Sequence, residues 1–430
     1  MIEIGNLPLT TLFENVRVFE GTEKLSTPMN VLVVGNHISK ISTGPLVVPD
    51  SGLVTRIDGD GRTLIPGLID AHWHAIMVAP SLKDAQIADI GYLNLLAARE
   101  ATATLLRGFT TVRDLGGPVF GLKRAIDEGV VVGPRIYPCG ALISQTAGHG
   151  DFRMPYEVPR IIGGPLSHSE KIGVAAIADS PDEVRLRARE QLMLGASQLK
   201  LMAGGGVAST YDPLDASQYT EAEFRAAVEA AENWRTYVTV HAYTPRAIAI
   251  AIASGVKCIE HGQLADEATA KLMAETGVWW SLQPFLDDED GNPMPENSPH
   301  RRKQLEVTTG TDTAYKFAKE YKVKTAWGTD TLFNPRLASR QGKQLSKLVR
   351  WYAPAEVLKM ATADNAELLA LCGPRNPYPG KLGVIEEGAL ADILLVDGDP
   401  LANIKLIENP ESNFLVILKD GKLYKNLLSQ

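Results

Sequence analysis

Apolar and polar residues alternate at both ends of the chain and stop alternating in the middle. Near the amino terminus, LFENVRVFEG (from Leu12) and MNVLVVGNHISKIS (from Met29) put apolar side chains at roughly every second position, the period of a half-buried strand. Gly35-Asn36 falls where a two-residue hairpin turn would sit. ADILLVDGD (from Ala391) and FLVILKDGKLYKN (from Phe414) repeat the style, with Asp420-Gly421 as the turn. Antiparallel strands are predicted at both termini.

From about residue 67 to about residue 370, short β-rich runs alternate with helical stretches, the pattern of a parallel sheet wrapped by helices. Eight strand candidates follow in order: GLIDAHWH, TTVRD, RIYPCG, SQLKLMA, YVTVHAY, KCIEHG, GVWWSLQ and KTAWGTD. Ser180–Glu183 and Thr220–Glu223 each set a hydroxyl three residues before a glutamate, as in a capping box, and Gly195 and Gly277 stop helices just before the fourth and seventh candidates. The expected fold is α/β: a (β/α)8 TIM barrel over residues 67–370, with a small β-sandwich-like domain assembled from residues 1–66 and 371–430. The polar stretch DDEDGNPMPENSPHRRKQ, from Asp287, reads as a long surface loop, lying either over the active face or simply in solvent.

Composition narrows the function. With 45% hydrophobic and 22% charged residues the 430-residue chain has material for a deep core, and a net charge of −8 argues against broad nucleic-acid binding. A small-molecule substrate is expected. Cys139, Cys258 and Cys372 are odd in number and widely spaced, which fits a reducing compartment or inert buried thiols. The opening MIEIGNLPLTTLFENVRVFEG lacks the basic and continuously apolar regions of a secretory signal, so the cytoplasm is the expected location. No apolar run approaches the ~20 residues that span a bilayer, and AIAIAIASG, from Ala247, reads as a buried barrel helix; no membrane role is expected. A homo-oligomer is the expected assembly.

Four of the eight histidines end strand candidates: His72 and His74 on the first, His241 on the fifth and His261 on the sixth. Alternation along a strand puts His72 and His74 on one side, with Asp70 behind them. Any one of these taken alone is an ordinary satisfied histidine, but the carboxyl ends of barrel strands converge on one face, where all four would meet. Asp330 ends the eighth run beside the first, although by itself it reads as a loop aspartate. Lys200 sits inside the apolar QLKLMAGGG, where a charged amine must be neutral, paired, modified or snorkelling to solvent. Gly204, Gly205 and Gly206 behind it suit a tight loop better than a phosphate cradle, since no Walker lysine pattern follows.

PGLIDAHWH, GASQLK, VHAY, IEHG and WGTD resemble the strand-end motifs of the amidohydrolase superfamily. The resemblance extends over nearly the whole chain, through GFTTVRDLGG, GPRI, TAGHGD, NAELLAL and ADILLVDGDPL. Within the superfamily the chain is most similar to the imidazolonepropionase-related branch, which holds prolidase-like dipeptidases, Xaa-Arg/Lys carboxypeptidases and ochratoxin-hydrolysing amidohydrolases.

The resemblance implies two divalent metal ions, zinc by preference. His72, His74 and Asp330 would hold the first, His241 and His261 the second, and a carboxylated Lys200 would bridge them. It implies amide hydrolysis by a hydroxide shared between the metals, with Asp330 as general base, on a dipeptide or N-acyl amino acid, ochratoxin A included. His149, after the third run, and Tyr243, two residues past His241, match the positions that hold the substrate's terminal carboxylate; a loop histidine and a packed tyrosine are the plain alternative. A cyclic-amide hydrolase, a one-metal deaminase or a non-catalytic scaffold are the competing readings. Lys200 speaks against the one-metal class, and the filled ligand positions speak against the scaffold.

Overall fold

The computed structural model describes residues 9–21, 24–48, 54–158 and 164–428. Residues 1–8, which open the stretch read for a secretory signal, lie outside them. Strands β1 (Thr10–Val18), β2 (Met29–Val34), β3 (His37–Ser42), β4 (Val54–Asp58) and β5 (Thr63–Pro66) share one sheet with β16 (Ile393–Val396), β17 (Phe414–Lys419) and β18 (Lys422–Asn426). The two ends of the chain meet where β16 runs antiparallel to β5, pairing Leu394 with Ile65.

Both hairpin turns form where the alternation breaks. Val34 pairs with His37 around Gly35-Asn36, and Lys419 with Lys422 around Asp420-Gly421. Asp420 (φ 53°) and Gly421 (φ 71°) are both left-handed, as a type I′ turn requires. The turns also press on each other. Asn36 Nδ2 donates to Asp420 Oδ1 (3.2 Å), and a Cβ on Gly421 would lie 1.8 Å from the Gly35 carbonyl oxygen, which restricts position 421 to glycine.

The ten strands between are parallel: β6 (Leu68–Trp73), β7 (Phe109–Asp114), β8 (Arg135–Pro138), β9 (Leu142–Ser144), β10 (Ala175–Ile177), β11 (Leu199–Met202), β12 (Val238–Ala242), β13 (Cys258–His261), β14 (Trp279–Leu282) and β15 (Thr325–Trp327). All eight candidate runs form strands. β9 and β10 are additions: the third run stops at Pro138, which has no N–H to donate, turns at Gly140 (φ 79°) and resumes as β9 beside β11.

The parallel strands fall into two sheets, β6-β7-β8 and β10-β9-β11-β12-β13-β14-β15, and amide side chains stitch the gaps between them. Gln198 Nε2 donates to the Asp114 and Tyr137 carbonyls (3.3 and 3.1 Å). Asn365 Nδ2 donates to the Ile69 and Trp327 carbonyls (2.7 and 2.8 Å) while its oxygen accepts from Trp327 N (3.1 Å). The first and eighth runs therefore lie side by side, an arrangement consistent with a TIM-like barrel.

Helix ends follow the sequence signals with two differences. Glu223 accepts from Thr220 N (2.7 Å), completing that box, whereas Glu183 accepts from Asp179 N (2.8 Å) and only the Ser180 hydroxyl caps its helix. Gly195 (φ 104°) and Gly277 (φ 69°) close their helices. The polar stretch from Asp287 is a loop only as far as Ser298, which caps the helix Pro299–Glu320, so PHRRKQ is helical. The helix Pro245–Ala253 buries Ala247, Ile248, Ala251 and Ile252. Among the described residues no helix is long and apolar enough to cross a membrane.

Candidate active site

The parallel register brings the strand ends level, pairing Met202 with His241 and Ala242 with His261. At that level a cavity of about 180 Å³ opens, lined by His72, His74, His241, His261, Lys200 and Asp330. His149 and Tyr243 line it too. Every residue singled out in the sequence as ligand, base or carboxylate holder thus lies in one cavity. Loop residues Asp290, Asn292 and Met294 cover part of it, which puts the polar stretch from Asp287 over this face.

Asp330 is the hub on one side. Its Oδ1 lies 3.3 Å from His72 Nε2 and 3.2 Å from His74 Nε2, and its Oδ2 lies 4.0 Å from His261 Nδ1. Donor atoms of His72, His261 and Asp330 all fall within 4.8 Å of one another, spacing that a single cation could serve. The ring centroids of His241 and His261 are 4.6 Å apart, and His149 stacks on His241 at 4.1 Å.

Backbone and buried contacts fix these positions. Asp330 (φ 46°) and His261 (φ 75°) are both left-handed, a conformation that costs a non-glycine residue and persists only where its surroundings impose it. Asp70 does much of the imposing: its carboxylate accepts from His72 N, Thr329 N, the Thr329 hydroxyl (2.7 Å) and Gln341 Nε2 (2.8 Å), clamping the end of β6 to the turn that carries Asp330. At Gly206 a Cβ would sit 2.0 Å from the His149 ring, so the glycine run serves close packing.

Burial keeps His72, His241 and His261 neutral. It pushes His72 down to about 4, and His241 and His261 well below the usual histidine value, leaving lone pairs available for a Lewis acid. Burial would raise Asp330, but His72, His74 and His261 hold it below the ordinary carboxylate range. Lys200 is 1% exposed, lines the cavity, and is pushed down by burial despite Glu260 and Asp330 nearby. Four imidazoles, a carboxylate and a buried amine form a nitrogen and oxygen donor set that fits divalent metal ions.

Several supporting residues escaped the sequence reading. Glu260, fully buried, accepts from His72 Nδ1 (2.9 Å) and from Arg113 Nη2 (2.6 Å), and burial is outweighed by Arg113, which holds it well below the usual range. Gln283 Oε1 takes the Nδ1 side of His261 (2.7 Å), and Ser209 Oγ lies 2.7 Å from His149 Nδ1. A charged residue immediately before His261, and an arginine inside the second run, were the available signals.

Parallel α/β architecture, with imidazoles, a carboxylate and an amine gathered at the strand ends, defines an enzyme of the hydrolase class. Comparison with known proteins gives its relations. A model of the amidohydrolase family matches residues 63–424. Ochratoxinase from Aspergillus niger is 32% identical over 385 residues, spanning 84% of this chain and 75% of that protein. The structure of a prolidase complexed with N-methylphosphonate-L-proline superposes with a TM-score of 0.87 at 33% identity, covering 97% of this chain and 100% of the other. That of a Xaa-Pro dipeptidase with methionine bound in its active site gives 0.82 at 30% identity, with the same coverage. The chain belongs to the amidohydrolase family.

Proposed function

We propose that this enzyme hydrolyses the amide bond of a dipeptide or N-acyl amino acid, with an ochratoxin-type aryl amide as a specific candidate. The convergence of His72, His74, His241, His261, Lys200 and Asp330 in one cavity carries the reading. His72, His74 and Asp330 would hold one divalent metal and His241 and His261 a second, zinc being the proposed ion. Lys200, carboxylated by CO₂ with loss of one proton, would bridge them as an anionic oxygen ligand, which accounts for an amine buried among the candidate ligands. Bound metals supply a water of lowered pKa and polarise the scissile carbonyl.

Asp330 would accept that water's proton and return it to the departing nitrogen, which an amide needs because a bare amide anion leaves poorly. His149 and Tyr243, flanking His241, would hold the substrate's terminal carboxylate, and the rest of the cavity would exclude bulk water. The named activities of the relatives, ochratoxin and Xaa-Pro cleavage, fit a substrate of this kind. The proposal includes closure of the eight runs as a (β/α)8 barrel over residues 67–370. Residues 1–66 and 371–430 complete a sandwich-like domain, and a cytoplasmic homo-oligomer is proposed.

Metal analysis combined with a panel of dipeptides, N-acyl amino acids and ochratoxin A tests it. Near two equivalents of metal per chain and turnover of carboxylate-bearing amides are expected. One equivalent, with deamination or cyclic-amide opening as the sole activity, would replace this reading by its rival.

A further inference from the structure

Positive and negative groups are unequally available in the wall of the catalytic cavity. Of the described residues in that wall, the carboxylates are Asp290 and Asp330. Asp330 Oδ1 lies 3.3 Å from His72 Nε2 and 3.2 Å from His74 Nε2, and in the reading above it serves a metal and the proton transfer. Asp290 has a fully buried side chain paired with Arg340 and with Lys347, the latter at 3.4 Å. Asp288 and Glu289, beside it in the loop, share those two cations but are exposed and stand outside the wall. Among the described residues, no carboxylate of the wall is left to balance a positive charge on a substrate.

Two of the three amide side chains in the wall have their oxygens engaged as well. Asn292 Oδ1 accepts from Asn334 Nδ2 (2.9 Å), and Gln304 Oε1 accepts from Met294 N (3.0 Å) and Arg301 Nη1 (2.8 Å). Met77, Phe152, Phe285, Met294, Leu332 and Phe333 make much of the remaining surface apolar. An ammonium moved from water into such surroundings without an anion is costly, whereas a hydrocarbon or aryl arm gains from the transfer.

We infer that the cavity selects a substrate with no positive charge on either side of the scissile bond: an acyl arm without a free α-ammonium, joined to an amino acid whose side chain is neutral. The inference rests on the dipeptide or N-acyl amino acid reading above and narrows it to the second class. Arg340 and Lys347 act on specificity from behind the wall, by neutralising the one carboxylate that catalysis does not claim.

The test compares substrates that differ by one ammonium, on the metal-loaded enzyme: 3-phenylpropanoyl-phenylalanine against phenylalanyl-phenylalanine, and 3-phenylpropanoyl-norleucine against 3-phenylpropanoyl-lysine. An α-amine titrates at about 7.8, so roughly one dipeptide molecule in twenty is neutral at pH 6.5 and nearly all are at pH 9. A site that accepts only the neutral form should favour the acyl substrate in kcat/KM about twentyfold at pH 6.5, the gap closing to within about threefold at pH 9. The lysine side chain stays charged at both pH values, and its substrate should trail the norleucine one at least ~tenfold throughout. The enzyme's own titration cancels in each ratio. Met294→Glu and Leu332→Asp, at half-buried positions of the wall, each add a carboxylate that keeps contact with water. At pH 6.5 at least one of them should raise a cationic substrate about threefold or more against its neutral partner. Equal turnover of charged and neutral partners would mean that aromatic faces or backbone oxygens receive the ammonium. A dipeptide gap that persists at pH 9, or ratios that neither added carboxylate moves, would trace the preference to shape. Each of these results would overturn this inference and leave the amide-hydrolase reading standing. No turnover of any member by the wild type would overturn both.

Discussion

His72 Nδ1 lies 2.9 Å from Glu260 Oε2, and the same carboxylate takes Arg113 Nη2 at 2.6 Å through its other oxygen. Both residues are fully buried, so the His72 imidazole is oriented by an ion pair beneath it. An acceptor on Nδ1 fixes the tautomer that leaves Nε2, the nitrogen facing Asp330, free as a donor to a metal. Glu260→Gln keeps the shape and removes the charge, stranding Arg113. The expected result is a loss of about 3 kcal/mol in urea denaturation, the lower end for breaking a buried pair. Metal affinity should fall 10- to 100-fold by about the usual effect of removing such a partner. A variant as stable as the parent with unchanged metal affinity would show that the pair positions nothing.

Asp330→Asn retains size but cannot accept the proton. A fall in kcat of at least ~10²-fold is expected, the contribution of a positioned general base. Binding of a non-hydrolysable substrate analogue should survive better than turnover. An unaltered kcat and pH–rate profile in Asp330→Asn would remove it from the mechanism.

Lys200→Ala tests the bridging role. Metal content and activity should fall together, and short-chain carboxylic acids should restore part of both by supplying the missing anion to the space the side chain vacates. Full activity with two metals retained in the variant would contradict the assignment.

The strand-end residues were legible because their signal is local. His72 and His74 are two apart at the end of one run, Lys200 is an amine in an apolar run, and the turn after each run sets the face. What supports them was not legible, because its meaning depends on contacts across the chain. Arg113 reads as one charge in TTVRD until it is seen 147 residues away on Glu260. Asn365 gives no hint in NAELLAL that it joins the first and eighth runs. The third run reads through Pro138 to Gly140; that it breaks at Pro138 and resumes as β9 beside β11 follows from pairing.

Protons and metals compete for the same imidazole lone pairs, so acidity should strip the site. A free imidazole titrates near 6.5, but burial takes His72 down to about 4, with His241 and His261 also well below the usual value. Metal content is therefore expected to hold from pH 7.5 to pH 6 and to fall only as pH approaches 4 to 5. In the metal-free protein the folded-state values lie below the unfolded ones, so the unfolded chain takes up more protons and stability declines as pH drops from about 6.5 toward 4. Loss of half the metal by pH 6 would mean that these histidines are not shielded as described.

A free carboxylate beside the scissile nitrogen should be required of the substrate. Tyr243 lies two residues past His241, just beyond the end of β12, and is 4.9 Å from it ring to ring, while His149 stacks on His241 at 4.1 Å, so the two polar groups adjoin one part of the cavity. His149 is itself steadied by Ser209 at 2.7 Å and by Asp212 at 3.6 Å. Two hydrogen bonds to a carboxylate, one of them charge-assisted, each contribute roughly 1.5 to 3 kcal/mol when shielded from water. Replacing the acid by its methyl ester or primary amide should lower kcat/KM by about 10² or more, and Tyr243→Phe should narrow the gap between acid and ester by slowing the acid. A cyclic-amide hydrolase needs no such group and would show no gap. Matched acid and ester turned over at equal rates would therefore take the carboxylate from the recognition scheme and move the cyclic-amide reading ahead of the dipeptidase-like one.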